Sequence, residues 1–254
     1  GLDSCAVSAI GKDDLGDDIV RKFDENGLKY RLERVDFPTG VVQVTLDENK
    51  VPSYNIKEGV AWDNIPMTPE LETLARNCRA VCFGSLAQRS SVSRATINAF
   101  VDLMPEDSLK IFDINLRQHY FNEEIVCNSM NKADILKIND EEIIVVAEML
   151  NITGKSQKEI CEVLLDRFAL KMVILTCGDK GSYVLSAEES SWVDTPKVNV
   201  VSTVGAGDSF TGTFIASILL GKTIRQAHEA AVRVSAYVCT CQGAMPAIPQ
   251  DLLF

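Results

Sequence analysis

Residues 201–210 read Val-Ser-Thr-Val-Gly-Ala-Gly-Asp-Ser-Phe, and these residue types could carry out group transfer. Gly205 and Gly207 let backbone amides approach an anion closely. Phe210, Phe214, Ile218 and Leu219 then recur at helical spacing with Gly221 as a stop, so the amides would open a helix whose positive end faces the anion. Asp208 falls in the first turn of that helix. A carboxylate beside an anion cradle is self-defeating in a site that only binds phosphate. It makes sense where the carboxylate takes a proton from an attacking hydroxyl while amides stabilise charge on the group being transferred. The same stretch also reads as a glycine-rich turn whose Asp favours a helix N-terminus. Local sequence leaves the two readings level.

Three further segments carry polar groups that would suit a nucleotide or a sugar. Thr176-Cys-Gly-Asp-Lys-Gly181 follows an apolar strand and offers a hydroxyl, exposed amides and two permissive glycines, although it also reads as a hairpin turn. Lys137-Ile-Asn-Asp-Glu-Glu142 ends a strand and opens a helix. There Asn139 and Glu142 would either present oxygens to a hydrated magnesium or cap the helix reciprocally. Asp113, Asn115 and Arg117 alternate at a strand end and so would share one side. Arg117 would contact phosphate or sugar, or else pair with Asp113.

Two other patterns fail on context. Ala216 to Thr223 lacks the first glycine of a Walker loop and lies at the end of an apolar helix. Gly205-x-Gly207 is followed by Phe210 where a dinucleotide fingerprint needs its third glycine, which argues against a nicotinamide enzyme.

These groups need a scaffold, and the chain is long enough to supply one. With 254 residues, 46% hydrophobic and 24% charged, it can bury an ordinary core. A formal net charge of -11 argues against a nucleic-acid surface. No apolar run is long enough to span a membrane. The 8 cysteines and 2 histidines lack metal-ligand spacing; several cysteines fall in apolar runs, as free thiols do in a reducing, cytoplasmic setting.

Along the chain, 4–10 reads as a strand and 15–26 as a charged amphipathic helix. Short alternating segments follow at 30–35, 40–47 and 53–56, with turns at 38–40 and 47–50. This cluster is too small to stand alone, so it would cover a pocket mouth or a partner subunit's sheet. From residue 69 strands and helices alternate: strands at 80–84, 109–114, 135–138, 172–176 and 182–185, helices at 92–103, 141–150, 157–168, 207–220 and 224–240. Val198, Val200 and Val201 read as a strand-like approach to the glycine turn. Alternation implies a parallel sheet with helices on both faces and ligands beyond its carboxyl ends.

Taken together, the chain resembles the ribokinase-like, or phosphofructokinase-B type, sugar kinases. The resemblance is carried in order by Gly11-Lys-Asp-Asp-x-Gly16, Phe83-Gly-Ser85, Asp113-x-Asn115-x-Arg117, Asn139-x-x-Glu142, Thr176-x-Gly178-x-x-Gly181, Thr203-x-Gly-Ala-Gly-Asp208 and Gly243-Ala244. It implies an α/β kinase domain over 1–29 and 63–254 with a small β lid over 30–62, and transfer of ATP's γ-phosphoryl group to a sugar hydroxyl. Asp208 would be the base, and Gly205, Ala206 and Gly207 the anion hole. Asn139 and Glu142 would organise magnesium. Asn139, Thr176, Gly178, Gly181, Ala231 and Ser235 would line the nucleotide site, while Ser85, Asp113, Asn115, Arg117 and Asp208 would hold the sugar. The lid would exclude water and could join two subunits in a homodimer.

Within the family, Pro38-Thr-Gly40, Ala61-Trp-Asp63 and the 83–89 stretch most resemble fructokinases. The family's opening strand and helix have no counterpart before Gly1, as expected of a truncated or partly ordered chain. Ser202 stands where relatives carry an Asp beside a monovalent-cation site, which argues against potassium activation. These departures keep a catalytically silent sugar- or nucleotide-binding relative as the alternative, along with kinases for ribose, 2-keto-3-deoxygluconate or a nucleoside.

Overall fold

The computed structural model describes residues 2–46 and 52–253, which form two compact units. The first comprises residues up to 79 together with 86–108. In it β1 (Cys5–Gly11) pairs in parallel with β2 (Lys29–Val35) across α1 (Asp14–Glu25). The hairpin β3 (Val42–Leu46) and β4 (Pro52–Ile56) follows, then α2 (Pro69–Asn77) and α3 (Ser91–Leu103). The lid segment expected at 30–62 lies wholly within this unit, and the turn expected at 47–50 lies outside the described residues.

Asp13 organises the start of this unit. Its carboxylate caps α1 by accepting from Gly16 N at 2.9 Å, and also accepts from Thr39 N at 2.8 Å and Thr39 Oγ1 at 2.6 Å. The Thr39 hydroxyl in turn accepts from Gly11 N at 2.8 Å, so β1, α1 and the turn at 38–40 share one knot. Those donors, the Thr39 hydroxyl first, hold the Asp13 carboxyl below its usual range. A second knot is buried. Arg89 forks onto Asp63, stacks on the Trp62 ring at 4.1 Å and donates to the Lys57 carbonyl at the end of the hairpin.

The second unit comprises 80–85 and 109 onward. Its sheet runs β10-β9-β8-β7-β6-β5. β5 (Ala80–Phe83), β6 (Leu109–Asp113), β7 (Ile135–Asn139) and β8 (Met172–Thr176) are parallel, while β9 (Ser182–Ser186) and β10 (Ser190–Val193) turn back antiparallel. Alternation along the strands builds two cores. Phe112, Leu136, Val173 and Leu185 face one way with residues of α4 (Glu123–Lys132), α5 (Glu142–Met149) and α6 (Gln157–Arg167). Ile111, Ile135, Ile174 and Val184 face the other way, onto α7 (Ala206–Leu219) and α8 (Ile224–Cys239). Strands buried on both faces read as unbroken apolar runs, and each fully buried Leu, Ile or Phe is worth ~2 kcal/mol. A short α9 (Gln250–Leu253) closes the described chain.

The expected α/β architecture, a parallel central sheet with helices on both faces, is present except that β9 and β10 run antiparallel, because a short turn rather than a crossover helix joins β8 to β9. Boundaries lie within a residue or two of those predicted. α2, α4 and β10 were not anticipated. The strand expected at Val198–Val201 is absent: this stretch is irregular, and Val200 and Val201 are exposed. Its amides bond outside any sheet, with Val201 N and Ser202 N donating to Cys239 O at the end of α8.

Candidate active site

Because β5 to β8 are parallel, their carboxyl ends fall on one edge of the sheet. Ser85 follows β5, Asn115 and Arg117 follow β6, Asn139 ends β7, and Thr176 ends β8 in register with Asn139. Helix α7 brings its first turn to the same edge. A Cβ added to Gly207 would lie 3.3 Å from Lys137 Nζ, and Thr211 Oγ1 donates to Asp113 Oδ2 at 2.9 Å.

The helix start requires glycine. Gly205 caps α7 at φ +84°, where a side chain is strained, and a Cβ there would sit 2.5 Å from the Ala244 carbonyl oxygen. Ala206 N donates back to Thr203 O at 3.2 Å, so the expected anion hole loses one of its three amides to the turn. Among the described residues, the amides of Gly205, Gly207 and Asp208 take no acceptor. They stand at the positive end of α7, with the exposed Asp208 carboxylate in the same turn. Ser235, expected to line the nucleotide site, reaches from α8 to donate to Ala206 O at 2.9 Å and so braces this turn.

Beneath it lies a buried ion pair. Asp113 and Lys137 are cross-strand partners with Nζ and Oδ1 3.2 Å apart, each side chain 5% exposed. Burial pushes the Asp113 carboxyl above its usual range, with Lys137 and Thr211 opposing the shift and the charge of Asp208 adding to it. Asp113 therefore spends its carboxylate inside the protein rather than on a sugar. The expected alternation of Asp113, Asn115 and Arg117 fails too. β6 stops at Asp113, Asn115 turns left-handed at φ 41°, and Arg117 leans on the Asn115 side chain at 3.2 Å and the Leu116 carbonyl at 3.0 Å instead of Asp113.

Other expected contacts are placed as follows. Ala231 is fully buried among Ile111, Phe210 and Phe214, so it packs core and cannot line an open site. Ser85 is also fully buried, with its hydroxyl given to Ile114 O at 2.6 Å. Thr176 and Gly178 open the turn from β8 to β9, Gly178 exposed at φ +57°. Gly181 owes its glycine to packing, because a Cβ would meet the Trp192 ring at 2.5 Å.

Asn139 and Glu142 form the reciprocal cap. Asn139 Oδ1 accepts from Glu141 N and Glu142 N at 3.0 and 2.8 Å, and Glu142 Oε2 accepts from Asn139 N at 3.1 Å. The other Glu142 oxygen accepts from Leu116 N at 2.9 Å. With these oxygens already accepting, and no trio of His, Cys, Asp or Glu placed to hold an ion among the described residues, the set does not fit a directly bound metal.

One buried polar group escaped sequence reading. His228 on α8 is fully buried, with Nε2 2.8 Å from Ser182 Oγ and Nδ1 2.9 Å from Ser191 Oγ. Its only sequence signal was a polar residue on the apolar face of a helix.

Amides at a glycine-opened helix start, a carboxylate in the same turn and polar groups along the strand ends define an α/β enzyme fold that handles an anion. The model of the pfkB family carbohydrate kinases matches residues 1–251. The chain belongs to that family. It is 30% identical over 98% of its length to the ATP-dependent 6-phosphofructokinase of Thermoanaerobacterium thermosaccharolyticum, covering 77% of that protein. It is 24% identical to probable fructokinase-3 of Arabidopsis thaliana, over 97% of this chain and 74% of the relative. A putative ribokinase II of E. coli in its apo form superposes with a TM-score of 0.84 at 20% identity, over 96% of this chain and 79% of that one. The structure described as that protein with ATP and Mg2+ gives 0.80 at 21% identity, with the same coverage.

Proposed function

We propose that this protein transfers the γ-phosphoryl group of ATP to a hydroxyl of a ketohexose, with fructose as the acceptor. The reading is carried by one observation: the Asp208 carboxylate shares a helix turn with the unengaged amides of Gly205 and Gly207. Asp208 accepts the proton of the attacking hydroxyl as its oxygen bonds to the γ-phosphorus. Meanwhile the bond from that phosphorus to the β–γ bridging oxygen breaks, and ADP leaves with the electron pair. The amides and the dipole of α7 meet the charge on the transferred group, where most of the acceleration in phosphoryl transfer arises. Lys137 beside Gly207 adds positive potential from below.

The nucleotide enters as its magnesium complex, in keeping with the ATP and Mg2+ named for a structural neighbour. It would lie along Asn139, Thr176 and Gly178, with the sugar toward Asn115 and Arg117. No step calls on potassium: Ser202, whose Oγ accepts from Val204 N at 3.2 Å, brings no carboxylate to that position.

The 30% identity to a 6-phosphofructokinase makes fructose 6-phosphate the second acceptor after fructose. An ADP-release assay with fructose, fructose 6-phosphate, ribose, 2-keto-3-deoxygluconate and nucleosides decides between them. Turnover of either ketohexose alone supports the reading. Ligand binding without turnover of any acceptor makes the chain a silent relative and ends it.

A further inference from the structure

The turn at residues 114–118 holds two non-glycine residues in left-handed conformations, Asn115 at φ 41° and Gln118 at φ 49°. Such residues cost on the order of 1 kcal/mol each and persist only where the surroundings over-determine them. Two buried side chains grip this turn from different elements. Ser85, fully buried after β5, donates its hydroxyl to Ile114 O at 2.6 Å. Glu142, 5% exposed at the start of α5, accepts from Leu116 N at 2.9 Å through Oε1. Its Oε2 accepts from Asn139 N at 3.1 Å, so one carboxylate bridges the end of β7 and the turn after β6. Arg117 Nη1 stands 4.0 Å from the same Oε1, and Arg117 Nη2 reaches Asn115 Oδ1 at 3.2 Å.

We propose that Glu142 is a positioning residue that holds the half-buried Asn115 and the exposed Arg117 in a substrate-facing arrangement, rather than a group that organises a metal ion. The inference rests on the kinase reading only for what Asn115 and Arg117 bind; the bridging itself does not depend on it. The charge is needed as well as the shape. Two amide donors converge on two carboxylate oxygens, and an isosteric amide can accept from only one of them, turning its NH2 against the other. Released on that side, the turn can leave its strained conformation, and Asn115 and Arg117 leave with it.

The test is Glu142→Gln in the full chain. First, hydrogen exchange of the Leu116 and Asn139 amides is followed without nucleotide or metal. At least one of the two should exchange about tenfold faster or more, the loss expected for a bond to a charged acceptor. Second, in the kinase assay, KM for fructose or fructose 6-phosphate, whichever the wild type turns over, should rise. Its rise should be non-additive with that of Asn115→Ala. Third, the Mg2+ concentration giving half-maximal rate at fixed ATP should stay at the wild-type value. Unchanged exchange at both amides, or a raised Mg2+ requirement, overturns the proposal. Should Glu142→Gln not fold, Ser85→Ala removes the opposite grip and must raise the same KM with the same Mg2+ requirement; an unchanged KM overturns the proposal there. The exchange measurement needs no turnover, so it stands or falls apart from the kinase reading.

Discussion

Arg89 lays its guanidinium flat against both oxygens of Asp63, Nε to Oδ1 at 2.8 Å and Nη2 to Oδ2 at 3.0 Å, with both side chains almost wholly buried. Truncating one member leaves the other charge buried without its partner. Arg89→Ala should therefore lower unfolding stability by about 3–5 kcal/mol. Arg89→Lys should recover only part of this, because an ammonium cannot reproduce the fork or the stacking on Trp62. Urea denaturation of the three proteins measures both differences, and a loss below that of an ordinary surface substitution refutes the clamp.

The Asp208 side chain is exposed and its carboxylate makes no hydrogen bond among the described residues, so its replacement should disturb chemistry rather than folding. Asp208→Asn should reduce kcat by roughly 10²–10⁴-fold, the range for a lost general base, and leave the dissociation constant for ATP unchanged. Steady-state rates beside calorimetric ATP titration check the split. Near-normal turnover would remove Asp208 from the role of base.

Gly205→Ala carries two costs, a left-handed backbone and a methyl 2.5 Å from the Ala244 carbonyl oxygen. The backbone alone costs about 1–2 kcal/mol. Relief requires moving either the turn or residue 244. We expect a lower Tm and a loss of turnover larger than the loss of stability would explain. A variant with wild-type melting and rates would show the turn to be tolerant. Gly207→Ala, whose Cβ meets only Lys137 Nζ at 3.3 Å on an ordinary helical backbone, should melt closer to wild type.

His228 gives the acid dependence its sign. Burial, with the charge of Arg225 adding to it, lowers the ring from 6.5 to about 4. The folded ring thus stays neutral where the unfolded one gains a proton. Its contribution is complete above pH 6.5 and is lost as pH falls from there toward 4, amounting to ~3 kcal/mol. His228→Gln removes this dependence, so the stability gap between the two proteins should narrow steadily over that interval. Thermal melts from pH 7 to 4 read it directly, and a constant gap would mean that the ring titrates normally.

Much of the scaffold was legible because strands buried on both faces leave unbroken apolar runs, as in Ile135-Leu136 and Val173-Ile174-Leu175. Glycines at 205 and 207 were legible as a close-approach turn for the same local reason. What escaped depends on partners remote in the chain. Nothing around Arg89 announces Asp63, and nothing near His228 announces two serines on neighbouring strands. Ala231 was misplaced because helical spacing tells which side is apolar without saying what covers it. Val198 to Val201 misled through strand-forming residue types, since strand propensity reflects neighbours and this stretch abuts a helix end. α2 was readable in principle from Thr68 at its cap and Pro69 in its first turn, but a nine-residue helix shows too little periodicity to stand out.

The sheet also sets an order of assembly. β8, β9 and β10 are joined by tight turns and pair with their sequence neighbours, whereas β5 reaches β6 only after α3 has intervened, and β7 reaches β8 only after two helices. Closing the short loops costs little chain entropy, so the meander can pair early and offer β8 as a template edge. The parallel strands that display Ser85, Asn115 and Asn139 then join late. Pulse-labelled amide exchange during refolding should protect Val184 and Leu175, whose amides face β10 and β9, before Phe112. The strand ends that carry the site would thus be the last part of the sheet to close.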